Sequence, residues 1–217
     1  MHRRIQIFTA VFAVFLISSF SIFSQAEEQF VAGKHYQVLD QPVRTRDSSK
    51  VEVVEVFWYG CSHCYSFEPL VKQWHARQPD DVDFWQSPAI WNGAMETHAR
   101  MFFTAKSLGI FDKIHEPLFT LMNVERKRLT DTDDIEDVFA DFGIDREEFR
   151  KTFKSFSVNS QVKQANARAR SYKISGTPEL VVNGKYRVSG REAGGQMEML
   201  KVVDFLVNKE RASLVAQ

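Results

Sequence analysis

Cys61-Ser62-His63-Cys64 sets two thiols three positions apart, and they are the only cysteines in the 217-residue sequence. One pair cannot staple a small disulfide-rich fold, so its spacing must carry whatever chemistry it does. A purely structural bond closes a ring of four residues and removes little chain entropy, about 2 kcal/mol on the loop-closure scale. A zinc centre needs two further ligands, and His35, His75, His98 and His115 show none of the paired spacing of a zinc module. A redox-active dithiol asks only that the thiols reach each other and that one of them ionise readily. Residues i and i+3 of a helical turn have β-carbons about 5–6 Å apart, within a small adjustment of disulfide geometry. A helix beginning at the pair points its free N–H groups and its dipole at the first cysteine, and only a thiolate attacks or leaves a disulfide readily. A protonated His63 adds a positive charge beside it. The redox reading therefore outweighs the other two.

The flanking sequence supplies the elements that such a pair needs. Val51 to Tyr59 is a run of β-branched and aromatic residues of strand length, leading directly into Gly60-Cys61. Phe67, Leu70, Val71 and Trp74 then recur at helical spacing, so a helix over 65–78 begins at or just before Cys64. Val82 to Ser87 reads as a second strand ended by Pro88. From about Gly93 the period is helical: Met95, Ala99, Phe102 and Phe103 form one face, and Ile135, Val138, Phe139 and Phe142 another. Pro117 makes the stretch Phe111 to Met122 either kinked or two short pieces. Asp145 and Glu148 have capping-box spacing before Phe149 and Phe153, and Val158, Val162, Ala165 and Ala169 form a further face. Strand character returns after Gly176-Thr177-Pro178, with Glu179 to Val182 and Lys185 to Val188 joined at Asn183-Gly184 as a hairpin. A closing helix turns Met197, Leu200, Val203 and Leu206 or Val207 inward, with a polar tail from Lys209 that frays. The class is α/β, with a helical block inserted between sheet elements.

Composition narrows the function. Hydrophobic residues make up 44% of the chain, enough for a packed core, and 28 basic residues balance 28 acidic ones. No excess positive charge is available to hold nucleic acid by counterion release. The N-terminus has the three parts of a secretory signal: basic Arg3 and Arg4, an apolar centre over 5–23, and small residues at Ser24 and Ala26. Cleavage after Ala26 is expected. An uncleaved anchor is the alternative, against which its serines and cleavage-like end argue. Export places the thiols where disulfides form and persist.

Phe57-Trp58-Tyr59-Gly60-Cys61-Ser62-His63-Cys64-Tyr65-Ser66-Phe67-Glu68-Pro69, together with Gly176-Thr177-Pro178 and Val182-Asn183-Gly184-Lys185-Tyr186, resembles the DsbA family of periplasmic thiol:disulfide oxidases. The resemblance covers essentially all of residues 27–217. It implies a thioredoxin fold with an inserted all-helical domain: a leader over 1–26, a thioredoxin-like domain from 27–92 and 173–217, and an insertion over 93–172. It implies donation of the Cys61–Cys64 disulfide to reduced, unfolded or partly folded exported proteins, and reoxidation by a DsbB-type membrane quinone reductase. Cys61 would form the mixed disulfide and Cys64 would be the buried partner, with His63 tuning the redox poise. Thr177-Pro178 matches a cis-proline loop that presents the Thr177 backbone to substrate. Glu55 matches a buried acid that exchanges a proton with Cys64; the alternative is an acid on an exposed strand face, as alternation expects for Glu52. Ser62 departs from the proline of the best-known members, and alters the helix start. No metal or organic cofactor is implied, only the redox-active disulfide, and a monomer is expected. Two rivals remain: a disulfide reductase or isomerase of the same fold, and a secreted chaperone with a non-catalytic cysteine pair.

Overall fold

The computed structural model describes residues 29–215, so the expected leader over 1–26 lies outside them. Its centre is strand β2 (Val51–Phe57), in which every residue is buried. Complete burial explains the near-continuous apolar run, because a strand covered on both faces has no solvent side to mark. β3 (Val82–Pro88) pairs with it in parallel and β4 (Glu179–Val182) antiparallel. β5 (Tyr186–Ser189) and the two-residue β1 (Gln37–Val38) extend the sheet, giving the order β1-β5-β4-β2-β3. Pro88 sits at the end of an edge strand, where its missing N–H removes no ladder bond.

Helix α1 (Ser62–His75) begins one residue after Cys61, two before the sequence-based start. It lays Phe67, Val71 and Trp74 against Val51, Val53, Leu180 and Val182, together with Met199 to Val207 of α8 (Gln196–Val215). Between β3 and β4 run five helices: α2 (Gly93–Ser107), α3 (Phe111–Asn123), α4 (Thr132–Asp141), α5 (Arg146–Phe153) and α6 (Phe156–Ser171). Met95, Ala169 and Tyr172 close the other face of the sheet over Val54, Val56 and Val181. The aromatic core of the helical block, including Phe102, Phe119, Phe139 and Phe149, is continuous with Phe57, Tyr59 and Cys64. The pair is thus roofed by the insertion. Asn92, Asp131, Asp145 and Ser155 cap α2, α4, α5 and α6 with side-chain oxygens, and so fix where each begins.

Pro117 lies inside one helix, α3, which sets aside the reading of two short pieces, and the carbonyl it leaves free belongs to exposed Lys113. Two expectations need correction. Met197 is 55% exposed and Met199 takes the inward position, because Gly194-Gly195 at positive φ sets the start of α8 and so its rotation. The end of α8 does not fray within the described residues. Glu210, almost fully buried, accepts from Asn183 and Lys185, and Arg211 pairs with Asp81. Tertiary partners override the polar local sequence. A short helix α7 (Gly190–Ala193) precedes α8.

The β4–β5 turn has Asn183 and Gly184 both at positive φ, +50° and +60°, and Val43 bonds to the Gly184 carbonyl at 2.9 Å. A Cβ at Gly184 would lie 1.9 Å from the Val43 carbonyl oxygen. Gly184→Ala is expected to lower unfolding stability by at least about 2 kcal/mol, read as a fall in the urea midpoint at unchanged slope. A midpoint within error of the native chain would contradict this packing.

Candidate active site

The two sulfurs occupy unequal surroundings. Cys61 is the N-cap residue of α1, extended at φ −93° and ψ 114°, and its side chain is half-exposed. Cys64, one turn into the helix, is fully buried beneath the helical block. Both are free thiols in this structure.

The Cys64 thiol that faces Cys61 holds the Cys61 pKa down to about 5, against partial burial, with Thr177 and the backbone N–H groups of Cys64 and His63 adding to the effect. An N-cap side chain ordinarily accepts from these first-turn donors, and here a thiolate stands in for the usual oxygen. The neutral thiol makes no full cap bond and turns instead to the Thr177 carbonyl at 3.3 Å. Loss of the proton makes that carbonyl repulsive, a local cost that the donors outweigh. Burial pushes the Cys64 thiol far up, and the Cys61 sulfur and the Glu55 carboxylate push it the same way. One sulfur therefore ionises readily and the other holds its proton.

Four elements fix the turn that carries Cys61. Trp58 Nε1 donates to His98 Nδ1 of α2 at 2.8 Å, and His98 Nε2 donates to the Arg128 carbonyl at 2.9 Å. These partners define a neutral imidazole, and burial lowers its pKa further. The indole folds over Gly60, where a Cβ would sit 2.4 Å from the ring. Asn123 at the end of α3 donates to the Tyr59 carbonyl at 2.8 Å. Gln196, opening α8, donates to the His63 carbonyl at 2.6 Å, while the His63 side chain stays exposed. Thr177 precedes β4, and the Thr177–Pro178 peptide is cis.

Glu55 and Glu52 lie on opposite faces of β2, but neither faces solvent. Glu52 is 1% exposed and accepts from the Arg46 backbone at 3.0 Å, which corrects the exposed face expected for it. Glu55 is completely buried, and one of its oxygens has no partner. Burial, then the neighbouring Glu68 charge, raises its pKa well above the ordinary carboxylate range, against the bond from Gln86. Structure thus brings Glu55, Cys61, Cys64, Thr177 and Pro178 to one end of the sheet, with Ser62 exposed as the first residue of α1. Sequence reasoning missed Gln86, His98, His115, Asn123 and Gln196, whose roles arise only from contacts across the fold. Among the described residues, no cluster of three His, Cys, Asp or Glu side chains is arranged to hold a metal.

Reduced and oxidised forms should differ in pH dependence. Cys61 has a depressed pKa when folded, so its contribution to the reduced form is complete above the unfolded value near 9.0 and is lost as pH falls through about 5. The stability of the reduced form relative to the oxidised one is expected to fall between pH 8 and pH 4.5. For a half-exposed thiolate screened by water the change is on the order of 1–2 kcal/mol. Urea unfolding of both forms across that range checks it; a constant difference would contradict the assigned thiolate.

Residues 52–200 match the DSBA-like thioredoxin domain. The chain is 41% identical over 207 residues to the thiol:disulfide interchange protein DsbA of Pseudomonas aeruginosa, covering 95% of this chain and 97% of that protein. It is 39% identical over 204 residues to the protein of the same name from Pseudomonas syringae pv. tomato, covering 94% and 95%. The crystal structure of Pseudomonas aeruginosa DsbA superposes with a TM-score of 0.81 at 41% identity, over 85% of this chain and 96% of that one.

Proposed function

The chain belongs to the DSBA-like thioredoxin family and is a thiol:disulfide oxidoreductase, and from that premise we propose that it works as an oxidase, donating a Cys61–Cys64 disulfide to reduced exported proteins. The observation that carries this reading is the inequality of the two sulfurs. A substrate thiolate attacks Cys61 Sγ, the accessible sulfur, and Cys64 leaves. Burial makes a Cys64 thiolate costly, so it takes a proton as it leaves, and Glu55 is the acid beside it with a proton to give. The second substrate thiolate then attacks the substrate sulfur of the mixed disulfide and expels Cys61, the better leaving group because its anion is stabilised. Two electrons pass from substrate to the pair, and the substrate gains a disulfide.

Thr177 and Pro178 flank the accessible sulfur, and the Thr177 backbone is the surface against which a substrate strand would lie. His63 and Ser62, exposed on the first turn, act on Cys61 through the His63 backbone N–H and the helix start. Reoxidation reverses the sequence at a DsbB-type membrane partner, with Glu55 taking the Cys64 proton. The secretory pattern over 1–26 supports export to the periplasm, and the element order supports a thioredoxin-like unit over 27–92 and 173–217 interrupted by a helical one over 93–172. The chemistry needs no further cofactor, and the protein acts as a monomer.

Mixing with a reduced dithiol protein tests the assignment. Cys64→Ser is expected to accumulate a mixed disulfide through Cys61, stable to gel separation and released by reductant. Cys61→Ser should form essentially none and lose substrate oxidation altogether. Oxidation that survives Cys61→Ser would sink the reading and favour a chaperone with an idle pair.

A further inference from the structure

Two buried carboxylates share one amide on the inner side of the site. Gln86 Nε2 of β3 donates to Glu55 Oε2 at 2.8 Å and to Glu68 Oε2 of α1 at 2.9 Å. Among the described residues no Lys or Arg forms an ion pair with either acid. The basic group in contact is His115 of α3, with Nε2 3.4 Å from Glu68 Oε1 and Nδ1 2.7 Å from the Tyr59 hydroxyl. Nε2 is buried and has no hydrogen-bond partner of its own. Around the imidazole stand five aromatic rings, from Phe111 at 4.5 Å between centroids to Phe102 at 6.3 Å, with Phe119, Tyr59 and Phe57 between. An N–H on Nε2 facing the Glu68 carboxylate is favoured over a bare nitrogen, whose lone pair the carboxylate would repel.

Other charges face this group from each packed element. Lys72 of α1 is paired to Glu116 of α3, and Lys106 of α2 lies over Phe102 and Phe111 with Asp112 nearby. All four line the mouth of a cavity of about 630 Å³ that also reaches Glu68, Gln86 and His115. They are nearer to solvent than the acid pair and largely offset one another. Glu68 itself lines this cavity beside His115, and Lys72 also feels the Glu68 charge.

We propose that His115, fixed between these rings and Glu68, is a positioning residue for proton exchange at Cys64, turning an N–H toward Glu68 so that the proton the acid pair takes from Cys64 comes to rest on Glu55. The proposal rests on the role given to Glu55 above. During ring closure the Cys64 S–H bond breaks and a Glu55 O–H bond forms. Cys64 Sγ then bonds to Cys61 Sγ, and the electron pair of the broken mixed disulfide leaves with the departing thiolate. An N–H beside Glu68 lowers the proton affinity of the acid pair as a whole, and its removal raises the pH at which Glu55 is free to accept.

The test starts from the full chain carrying a Cys61–glutathione mixed disulfide and follows glutathione release from pH 5 to pH 9. In His115→Gln, which retains a partner for Tyr59, and in His115→Phe, which retains ring packing, the inflection is expected to rise by about half a unit to one unit. That makes closure about three- to tenfold slower on the acid side. Glu55→Gln should abolish the inflection. If it does so while both His115 variants keep the native profile, the His115 proposal is overturned and the Glu55 role stands. An inflection unchanged in Glu55→Gln overturns the Glu55 role itself. A native profile in His115→Gln with a shifted one in His115→Phe reduces His115 to a hydrogen-bonding partner of Tyr59 and also overturns the proposal. Nitrogen NMR of the native chain needs no variant to fold: a proton on His115 Nε2 at pH 7 supports the proposal, and a bare Nε2 overturns it.

Discussion

The Cys64 thiol and the free N–H groups at the first turn of α1 face one sulfur, and the protein interior closes around the other. A helix start is a fixed source of partial positive charge, whereas a buried thiol one turn further along has low-dielectric surroundings, the Cys61 sulfur and a neighbouring acid, all of which oppose its ionisation. The same three-residue spacing therefore yields one good leaving group and one that must be protonated as it leaves. Direction follows from this inequality: a thiolate stabilised at Cys61 favours the reduced pair, and a favoured reduced pair makes the disulfide a donor.

Most of the remaining architecture serves to hold that junction. β2 is buried on both faces, so the chain leaves it at a defined point and enters α1 after four residues. The helical block reaches the connecting turn twice, through His98 on Trp58 and Asn123 on Tyr59, and α8 reaches it through Gln196 on the His63 carbonyl. Two of these contacts end on backbone carbonyls and the third on the Trp58 indole, which leaves Cys61 Sγ accessible while restricting its approach. The insertion is thus part of the active-site wall, since Cys64 shares its core with Phe102 and Phe119.

Local signals made much of this legible in the sequence. The strand running into Cys61, the helical spacing of Phe67, Val71 and Trp74, and the Asn183-Gly184 hairpin each depend on short-range chemistry, and each appears where the pattern puts it. Misreadings arose where a distant partner decided the outcome. Glu52 looks solvent-facing by alternation, yet the loop at Arg46 folds back to satisfy it. The polar end of α8 is held by Asn183, Lys185 and Asp81, more than twenty residues away in sequence. Glu55 stood out as an acid in an apolar strand, but Gln86, Glu68 and His115, which complete its surroundings, lie on three other elements and have no shared motif.

The direction of electron flow turns on the disulfide being less stable than the dithiol. Its most direct measurement is the equilibrium of the Cys61–Cys64 pair against a series of glutathione buffers at pH 7, read by thiol trapping and by the fluorescence of Trp58 beside the pair. A potential more oxidising than about −180 mV is predicted, so that the disulfide flows to substrates. A value near the roughly −270 mV of thioredoxin would contradict it, and would make the pair a reductant in spite of the helix start that faces Cys61.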